Sequence, residues 1–321
     1  MSSKSSYLGL VNEVDGFPDA ATHPEAFAER TSEYSRFMHL NYTVGYIIPI
    51  VLDALKDTEL SGDWWDIQPG VVRLCGDTVE ERTKNMDKTT RRWREAQRFE
   101  ILSGWRDEIY TVYAPKGSPF FYMERSAHPL FGVLAYGSHM TVYVPATPTT
   151  PLRIWVPRRA AGKATYPGML DNTVAGGMGN GAGPWECIIK EAGEEASLEE
   201  SLVRAKAKPV GFVSYFYVRH KEAGGEAGLL QPEIEYCYDM AVEAPDSGGP
   251  TLKPCDGEVA VHILMDIDEV VANLKNGKFK PNCSAVLLDF FIRHGIITAE
   301  NEPDYLEIYT RLHRRLEFPT R

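Results

Sequence analysis

A glycine-rich run followed directly by an acidic helix is the feature that most restricts the fold of this chain. Residues 175–200 read AGGMGNGAGPWECIIKEAGEEASLEE, with glycine at five of the eight positions from Gly176 to Gly183. Pro184 suits the first turn of a helix, where a missing N–H costs nothing. Apolar residues then recur at helical spacing and predict one buried stripe, made of Trp185, Ile188, Ile189, Ala192 and Ala196. The sequence therefore predicts a flexible loop that enters a half-buried helix.

Three glutamates share the neighbouring face of this predicted helix. Glu191, Glu194 and Glu195 stand at i, i+3 and i+4, so their carboxylates lie close together. Like charges at this spacing cost roughly 0.2–0.5 kcal/mol per pair on an open helix. A cation would offset that cost, and Mg²⁺ takes oxygen ligands from carboxylates, water and phosphates. The glycine loop also lets backbone N–H groups approach a phosphate. We predict a metal–carboxylate site for a diphosphate, with a solvated acidic helix as the alternative.

Competing motifs are missing from the sequence. The loop lacks GK[ST] and does not fit GxGxxG, so neither a P-loop nor a dinucleotide fingerprint is present. The chain also has no HExxH and no GxSxG elbow. Its five cysteines form no CxxC pair, which argues against a structural zinc and favours reduced thiols.

Charge and hydropathy limit the partners. A net charge of -11 argues against a general binder of nucleic acid or anionic membranes. No stretch approaches the ~18 apolar residues of a membrane span, and the first residues lack the pattern of a secretory signal. We expect a cytoplasmic protein with a small-molecule diphosphate as partner, no nucleic acid and no membrane, and we leave a homo-oligomer open.

The pattern of elements changes near residue 125. Before it, HPEAFAERTSEYSRFMHLN and GYIIPIVLDALKDTEL predict helices, as does the charged segment 78–101, and two short strands follow. After it, strand-like runs alternate with capped helices. We predict an α/β protein in which residues 1–125 form a smaller, mostly helical α+β domain. Residues 126–321 form the second domain, with a helical extension at the C-terminal side.

The loop and helix resemble the Nudix box: Gly, five residues, Glu, seven residues, then Arg-Glu-apolar-x-Glu-Glu-x-Gly-apolar. On this chain the pattern starts at Gly176 and ends at Leu198, with Ser197 at the late glycine position. The resemblance implies an α/β/α sandwich with a mixed sheet for the second domain. It implies a diphosphate hydrolase that uses Mg²⁺, with Mn²⁺ as an alternative. It places metal ligation and catalysis on Glu191, Glu194 and Glu195.

A closer resemblance covers most of the chain from about residue 95. TYPGMLDNTVAGG, LLQPEIEYCYDM, DGEV, FKPNC and LDFFIRHGI are similar to the thiamine-pyrophosphokinase-related Nudix proteins of fungi and plants. In that family the N-terminal region is a companion domain. The resemblance implies hydrolysis of thiamine diphosphate, and preferentially of its damaged oxo or oxy analogues, to the monophosphate and phosphate.

Two positions depart from the family pattern. Ala182 stands where the box has its central glutamate, and Lys190 stands where it has arginine. Lysine keeps the charge without the planar fork, and we count Lys190 among the catalytic residues. Losing the orientation of a ligand typically costs roughly 10–100-fold in metal affinity or activity. Two alternatives therefore stay open: a Nudix hydrolase of a nucleoside-diphosphate-type substrate, and a catalytically weakened fold that acts as a binding module.

Further candidates lie outside the box. Glu233 is a predicted ligand or general base, and Glu235 on the same strand face competes for that role. The predicted substrate-binding groups are Gly176, Gly177, Arg158, Arg159 and Lys163. Trp155, Tyr166 and Tyr215 are predicted either to stack on a cationic ring or to lie in the core.

Overall fold

The first part of the chain contains a small sheet, a hairpin and several helices. The computed structural model describes residues 6–255 and 257–321. The elements of this part are α1 (Tyr7–Val14), α2 (Pro24–Thr31), β1 (Ser35–His39), β2 (Tyr42–Ile47), α3 (Pro49–Lys56), α4 (Thr58–Ser61), β3 (Trp65–Gln68), β4 (Val71–Leu74), α5 (Val79–Glu95), β5 (Ile109–Tyr113) and β6 (Pro119–Glu124). The sheet has the order β2-β1-β4-β3, and β5 pairs with β6 in a separate hairpin.

The helices predicted for residues 23–41 and 45–60 are correct only in part. Helices α2 and α3 lie within them, but residues 35–39 and 45–47 lie in strands. These residues belong to the antiparallel pair β1 and β2, and β1 also pairs in parallel with β4. The apolar residues of this segment fit helical spacing, but aromatic and β-branched residues such as Phe37, Val44 and Tyr46 also pack well on a sheet. All three are buried in the shared core. Pairing with the distant strand β4 decides between the two patterns.

The second part is an α/β/α sandwich. Its elements are α6 (His128–Phe131), β7 (Ala135–Val144), β8 (Arg153–Arg159), β9 (Val174–Gly177), α7 (Pro184–Ala196), α8 (Glu200–Lys206), β10 (Ala207–Val218), β11 (Leu230–Ala241), β12 (Val259–Asp266), α9 (Ile267–Lys275), α10 (Pro281–Arg293) and α11 (Tyr305–Leu312). The sheet has the order β10-β11-β7-β8-β12, and β9 pairs with β7. Only β11 and β7 run parallel in it. The predicted mixed sheet and α/β class are confirmed.

Helices cover both faces of this sheet. Ile188 and Ala192 of α7 pack against Met140 of β7 on one face. On the other face, Phe290 of α10 packs in one cluster with Tyr215 of β10. The buried stripe predicted for residues 184–196 is therefore the side of α7 that faces the sheet.

The two parts of the chain share a continuous core. Trp65 and Trp93 of the first part both stack on Phe131 of α6, with ring planes 10° and 8° from parallel. Helix α1 packs on α10 and α11 of the second part. The boundary at residue 125 stays a prediction. No helix within residues 6–255 and 257–321 is long and apolar enough to cross a membrane.

Candidate functional site

Two of the predicted glutamates of α7 lie beside strand β9. A Cβ added to Gly176 would lie 2.3 Å from Cγ of Glu191, so a glycine is needed for α7 to approach this closely. Glu195 accepts a hydrogen bond from the backbone N–H of Ala175, with Oε2 2.9 Å from the nitrogen. Burial raises the pKa of both carboxyl groups, and that of Glu195 well above its usual range. Two carboxylates therefore meet beside the glycine loop.

Glu194 and Lys190 lie on the outer side of α7. The Glu194 side chain is 49% exposed, and its Oε2 lies 2.9 Å from Nζ of Lys190. The same Nζ lies 3.7 Å from Oε1 of Glu191. The hydrogen bond to Glu194 raises the pKa of Lys190. The lysine thus contacts two box glutamates, although without the planar fork of the arginine that it replaces.

Glu258 is an acid of this site that the sequence patterns did not single out. It forms an ion pair with Lys163. Burial is the main cause of the raised pKa of Glu191 and of Glu195, and the charge of Glu258 adds to it. Glu258 stands directly before β12, in a segment that has no spacing relation to the box.

The acidic residues beside β9 suit a cation whose remaining ligands come from the substrate. Mg²⁺ is usually held by one or two carboxylates together with water and substrate phosphates. Glu191 and Glu195 supply two carboxylates whose charged forms burial disfavours, and a cation would offset that cost. Across the described ranges, no group of three or more His, Cys, Asp and Glu residues is placed to hold a metal ion by itself. The residues therefore fit a shared site rather than a closed protein cage.

A cavity of about 300 Å³ opens beside Gly176 and Gly177. Both parts of the chain contribute to its wall. The residues with chemical functions that line it include Arg106, Tyr110, Arg125, His128, His139, Tyr166, Tyr215, Arg219, Glu233, Glu235 and Lys280. A ligand in this cavity would therefore lie next to β9, against which the acidic side of α7 packs.

Two buried carboxyl groups share one tyrosine at the base of the cavity. The hydroxyl oxygen of Tyr215 lies 2.5 Å from Oε2 of Glu233 and 2.8 Å from Oε1 of Glu235. Its single proton serves only one of them at a time. Burial opposes the charge of Glu235, but His139 and Tyr215 lower its pKa to about 2. Nε2 of His139 lies 3.4 Å from Oε2 of Glu235. Burial and the charge of Glu235 raise the pKa of Glu233. Glu233 is therefore the better proton acceptor of the two.

Comparison with known proteins assigns the family. The NUDIX domain family matches residues 137–285, and a domain of unknown function (DUF4743) matches residues 17–135. An Arabidopsis thaliana protein named Nudix hydrolase 20, chloroplastic, is 37% identical over 95% of this chain and 79% of its own length. An uncharacterized protein of Saccharomyces cerevisiae is 33% identical over 98% of this chain and 92% of its own length. Nudix hydrolase 24, chloroplastic, of Arabidopsis thaliana is 32% identical over 94% of this chain and 78% of its own length.

The chain belongs to the Nudix family of hydrolases. Members of this family generally use divalent metal ions and act on small-molecule substrates. The loop and α7 beside β9 are therefore the Nudix box of this protein.

The three basic residues predicted to bind the Nudix substrate do not line the cavity. The guanidinium of Arg159 is occupied: its Nη1 lies 2.6 Å from Oδ2 of Asp171, and Nη2 donates to the carbonyl of Thr165 at 2.8 Å. Lys163 pairs with Glu258. Arg158 is exposed, and its Nη1 donates to the carbonyl of Gly168. In this arrangement Arg159 holds the loop before β9.

Replacing Arg159 tests this structural role. We expect Arg159→Ala to lower the free energy of unfolding by about 2 kcal/mol, because it leaves Asp171 without its bonded partner. The loss stays below that of an isolated buried charge, since Lys280 also faces Asp171. Arg158→Ala is the matched control, with an expected change within about 0.5 kcal/mol. Urea unfolding of both variants measures the difference, and equal stability of the two would contradict this role.

The predicted aromatic residues divide between cavity and core. Tyr166 and Tyr215 line the cavity. Trp155 is 5% exposed and packs with Met140 and Ile188, in the layer between the sheet and α7. Trp155 is thus a core residue, which was the alternative prediction for it.

Proposed function

We propose that this Nudix hydrolase cleaves thiamine diphosphate, or its damaged oxo and oxy forms, to the monophosphate and phosphate. The observation that supports this substrate is the chemistry of the cavity beside the box. A thiazolium ring carries a permanent positive charge, and an aminopyrimidine donates N–H groups. Both properties suit the buried carboxylate of Glu235, whose lowered pKa keeps it charged, and the tyrosines that line the cavity.

The proposed binding mode places the organic group in the cavity and the diphosphate across Gly176 and Gly177. The phosphates then reach the acidic group, where we propose Glu191, Glu194 and Glu195 as the metal ligands. For Glu194 this requires exchange of its bond to Lys190 for the cation. We propose Mg²⁺ as that cation, with Mn²⁺ as an alternative. A bound divalent ion screens the charge of the phosphates and polarises the scissile P–O bond.

The chemistry is a displacement by water at the terminal phosphorus. A P–O bond to the water oxygen forms while the bridging P–O bond breaks, and the bridging oxygen leaves with the monophosphate. A carboxylate takes the proton that water loses. We propose Glu233 for this step, because its raised pKa makes it a stronger base than an ordinary carboxylate.

Phosphate release in the presence of Mg²⁺ tests the proposal directly. We expect release from thiamine diphosphate and from oxothiamine diphosphate to exceed release from ADP. The ratio between the two thiamine substrates tests how much the cavity depends on the thiazolium charge, which the oxo form lacks. Tyr166→Phe changes the cavity only slightly, because it removes one hydroxyl group and keeps the ring. That hydroxyl bonds the hydroxyl of Tyr217 at 2.8 Å. Release from ADP alone would replace thiamine with a nucleoside-diphosphate-type substrate.

A folded chain that releases phosphate from no substrate would favour the weakened Nudix fold. The double variant Ala182→Glu, Lys190→Arg, which has the complete box pattern, separates the two explanations. Recovery of activity in this variant would show that the two departures silence the site. Continued inactivity would leave a binding module.

We also propose that the protein acts in the cytoplasm. All five cysteines are free thiols, which suits a reducing compartment. The two Arabidopsis thaliana relatives are named chloroplastic. Microscopy of a fluorescent fusion would decide the compartment.

A further inference from the structure

We infer that the companion domain, residues 17–135, completes the Nudix active site, with Arg125 as the side chain that binds the substrate diphosphate. The domain then serves to recognise the substrate and is not a separate binding module. The inference rests on the proposed function for the presence of a diphosphate, but not for the identity of the organic group. Any diphosphate laid across the glycine loop would meet the same side chain.

Arg125 and Tyr110 press on the backbone of β9 from the companion domain. A Cβ added to Gly177 would lie 1.9 Å from the hydroxyl oxygen of Tyr110 and 3.1 Å from Cζ of Arg125. The preceding residue, Gly176, is the one against which Glu191 packs. The cation of one domain and the acids of the other therefore approach adjacent residues of one strand. Glu191 also interacts electrostatically with Arg125. It is among the groups that raise the pKa of Arg125, after Tyr110 and Glu108.

The Arg125 side chain is held in place yet open to a ligand. Its Nη1 lies 2.7 Å from Oε2 of Glu108, and its Cζ lies 5.6 Å from the centre of the Tyr110 ring. The backbone N–H of Arg125 donates to the carbonyl of Glu108 at 2.8 Å. The side chain nevertheless remains 33% exposed. Nη1 is bonded to Glu108, but a fixed guanidinium that solvent can reach still has its other N–H donors to offer to phosphate oxygens.

Three other cations around the site are engaged in bonds with the protein. Arg159 and Lys163 pair with Asp171 and Glu258. Arg219 lines the cavity, but its Nη1 donates to Gln231 and its Nη2 donates to backbone carbonyls.

The acids beside β9 increase the need for a cation. Glu191 packs against Gly176 and Glu195 bonds the N–H of Ala175, beside the proposed place of the anionic diphosphate. Arg106, also from the companion domain, lines the cavity, and its charge adds to that of Lys163 in lowering the pKa of Glu258. The companion domain thus supplies positive charge at the point where the box is most acidic.

The test compares Arg125→Ala and Arg125→Lys with a matched control, Arg91→Ala. Arg91 belongs to the same domain, forms an exposed pair with Asp87 on α5, and does not line the cavity. The readouts are KM and kcat for phosphate release with Mg²⁺, and calorimetric binding of inorganic pyrophosphate with Mg²⁺. We expect Arg125→Ala to raise KM and to weaken pyrophosphate binding, each by roughly 10–100-fold. Arg125→Lys should recover only part of this loss, and Arg91→Ala should change neither quantity.

Several results would overturn the inference. One is unchanged KM and unchanged pyrophosphate affinity in folded Arg125→Ala, and another is a natural chain that binds no pyrophosphate. If Arg125→Ala fails to fold, Arg125→Lys carries the comparison. A natural chain that binds pyrophosphate through Arg125 but hydrolyses no thiamine compound would reject the proposed substrate and keep the inference.

Discussion

Glu195→Gln will lower kcat for phosphate release by at least roughly 100-fold while the protein stays folded. Loss of a group that merely orients a metal ligand already costs about 10–100-fold, and Glu195 is a proposed ligand. The amide retains a carbonyl oxygen for the 2.9 Å hydrogen bond from the N–H of Ala175. It lacks the negative charge that a cation needs. Steady-state kinetics with Mg²⁺ on the best substrate of the natural chain measure the effect.

The stability of Glu195→Gln should not fall. The pKa of Glu195 is raised by burial and by the charge of Asp171, so its ionised form is disfavoured in the folded protein. A neutral amide removes that penalty. We therefore expect a Tm equal to or above that of the natural chain. A lower Tm would mean that the activity loss reflects unfolding.

Two variants on the same helix make the kinetic test specific. Glu186→Gln changes an exposed residue in the first turn of α7 that pairs with Arg204, and it should leave kcat unchanged. Glu194→Gln should cost less than Glu195→Gln, because Glu194 must first leave Lys190 before it reaches a cation. If Glu195→Gln retained kcat within a few-fold of the natural value, the metal–carboxylate site would be contradicted.

Local patterns sufficed for helix α7. Pro184 and the apolar stripe act within a few residues, so sequence alone places this helix. The glutamate spacing did not show that Glu194 lies on the outer side with Lys190. Local reasoning also placed Glu233 and Glu235 on one strand face. It did not reveal their common partner Tyr215, since that contact depends on the register in which Tyr215 of β10 pairs with Glu233 of β11.

Contacts between distant segments decided the rest of the site. Arg125 follows β6 and has no local signature, yet the packing of the companion domain brings it to Gly177. The segment that contains Arg159 and Lys163 has the basic composition expected of a phosphate-binding loop. Their partners Asp171 and Glu258 come from other segments of the chain, so sequence alone does not show that these charges are paired. Strand β1 differs from the predicted helix for the same reason, because it pairs with the distant strand β4.

Asp15→Asn will lower the free energy of unfolding by about 3–5 kcal/mol, because it disrupts the buried ionic contact between α1 and the C-terminal helical segment. Oδ1 of Asp15 lies 2.7 Å from Nη1 of Arg314 and accepts the N–H of Phe216 at 3.0 Å. Oδ2 accepts from Nε of Arg311 at 3.2 Å. The side chains of Asp15 and Arg314 are each only 5% exposed, so the arginine would keep a buried charge without its nearest carboxylate. The longer contact to Asp19, at 3.6 Å, replaces only part of that interaction. Urea unfolding monitored by tryptophan fluorescence measures the loss.

Asp53→Asn is the matched control for this prediction. Asp53 pairs with Lys56 at 3.5 Å, but the two side chains are 70% and 56% exposed, so less than about 1 kcal/mol is expected. The substitution of Asp15 should also disturb the cavity, because the preceding residue, Val14, lines it. We therefore expect Asp15→Asn, but not Asp53→Asn, to raise KM at temperatures where both variants remain folded. Equal stability of the two variants would show that the Asp15 contact does not hold α1 in place, and the cavity wall would then depend on apolar packing of α1 alone.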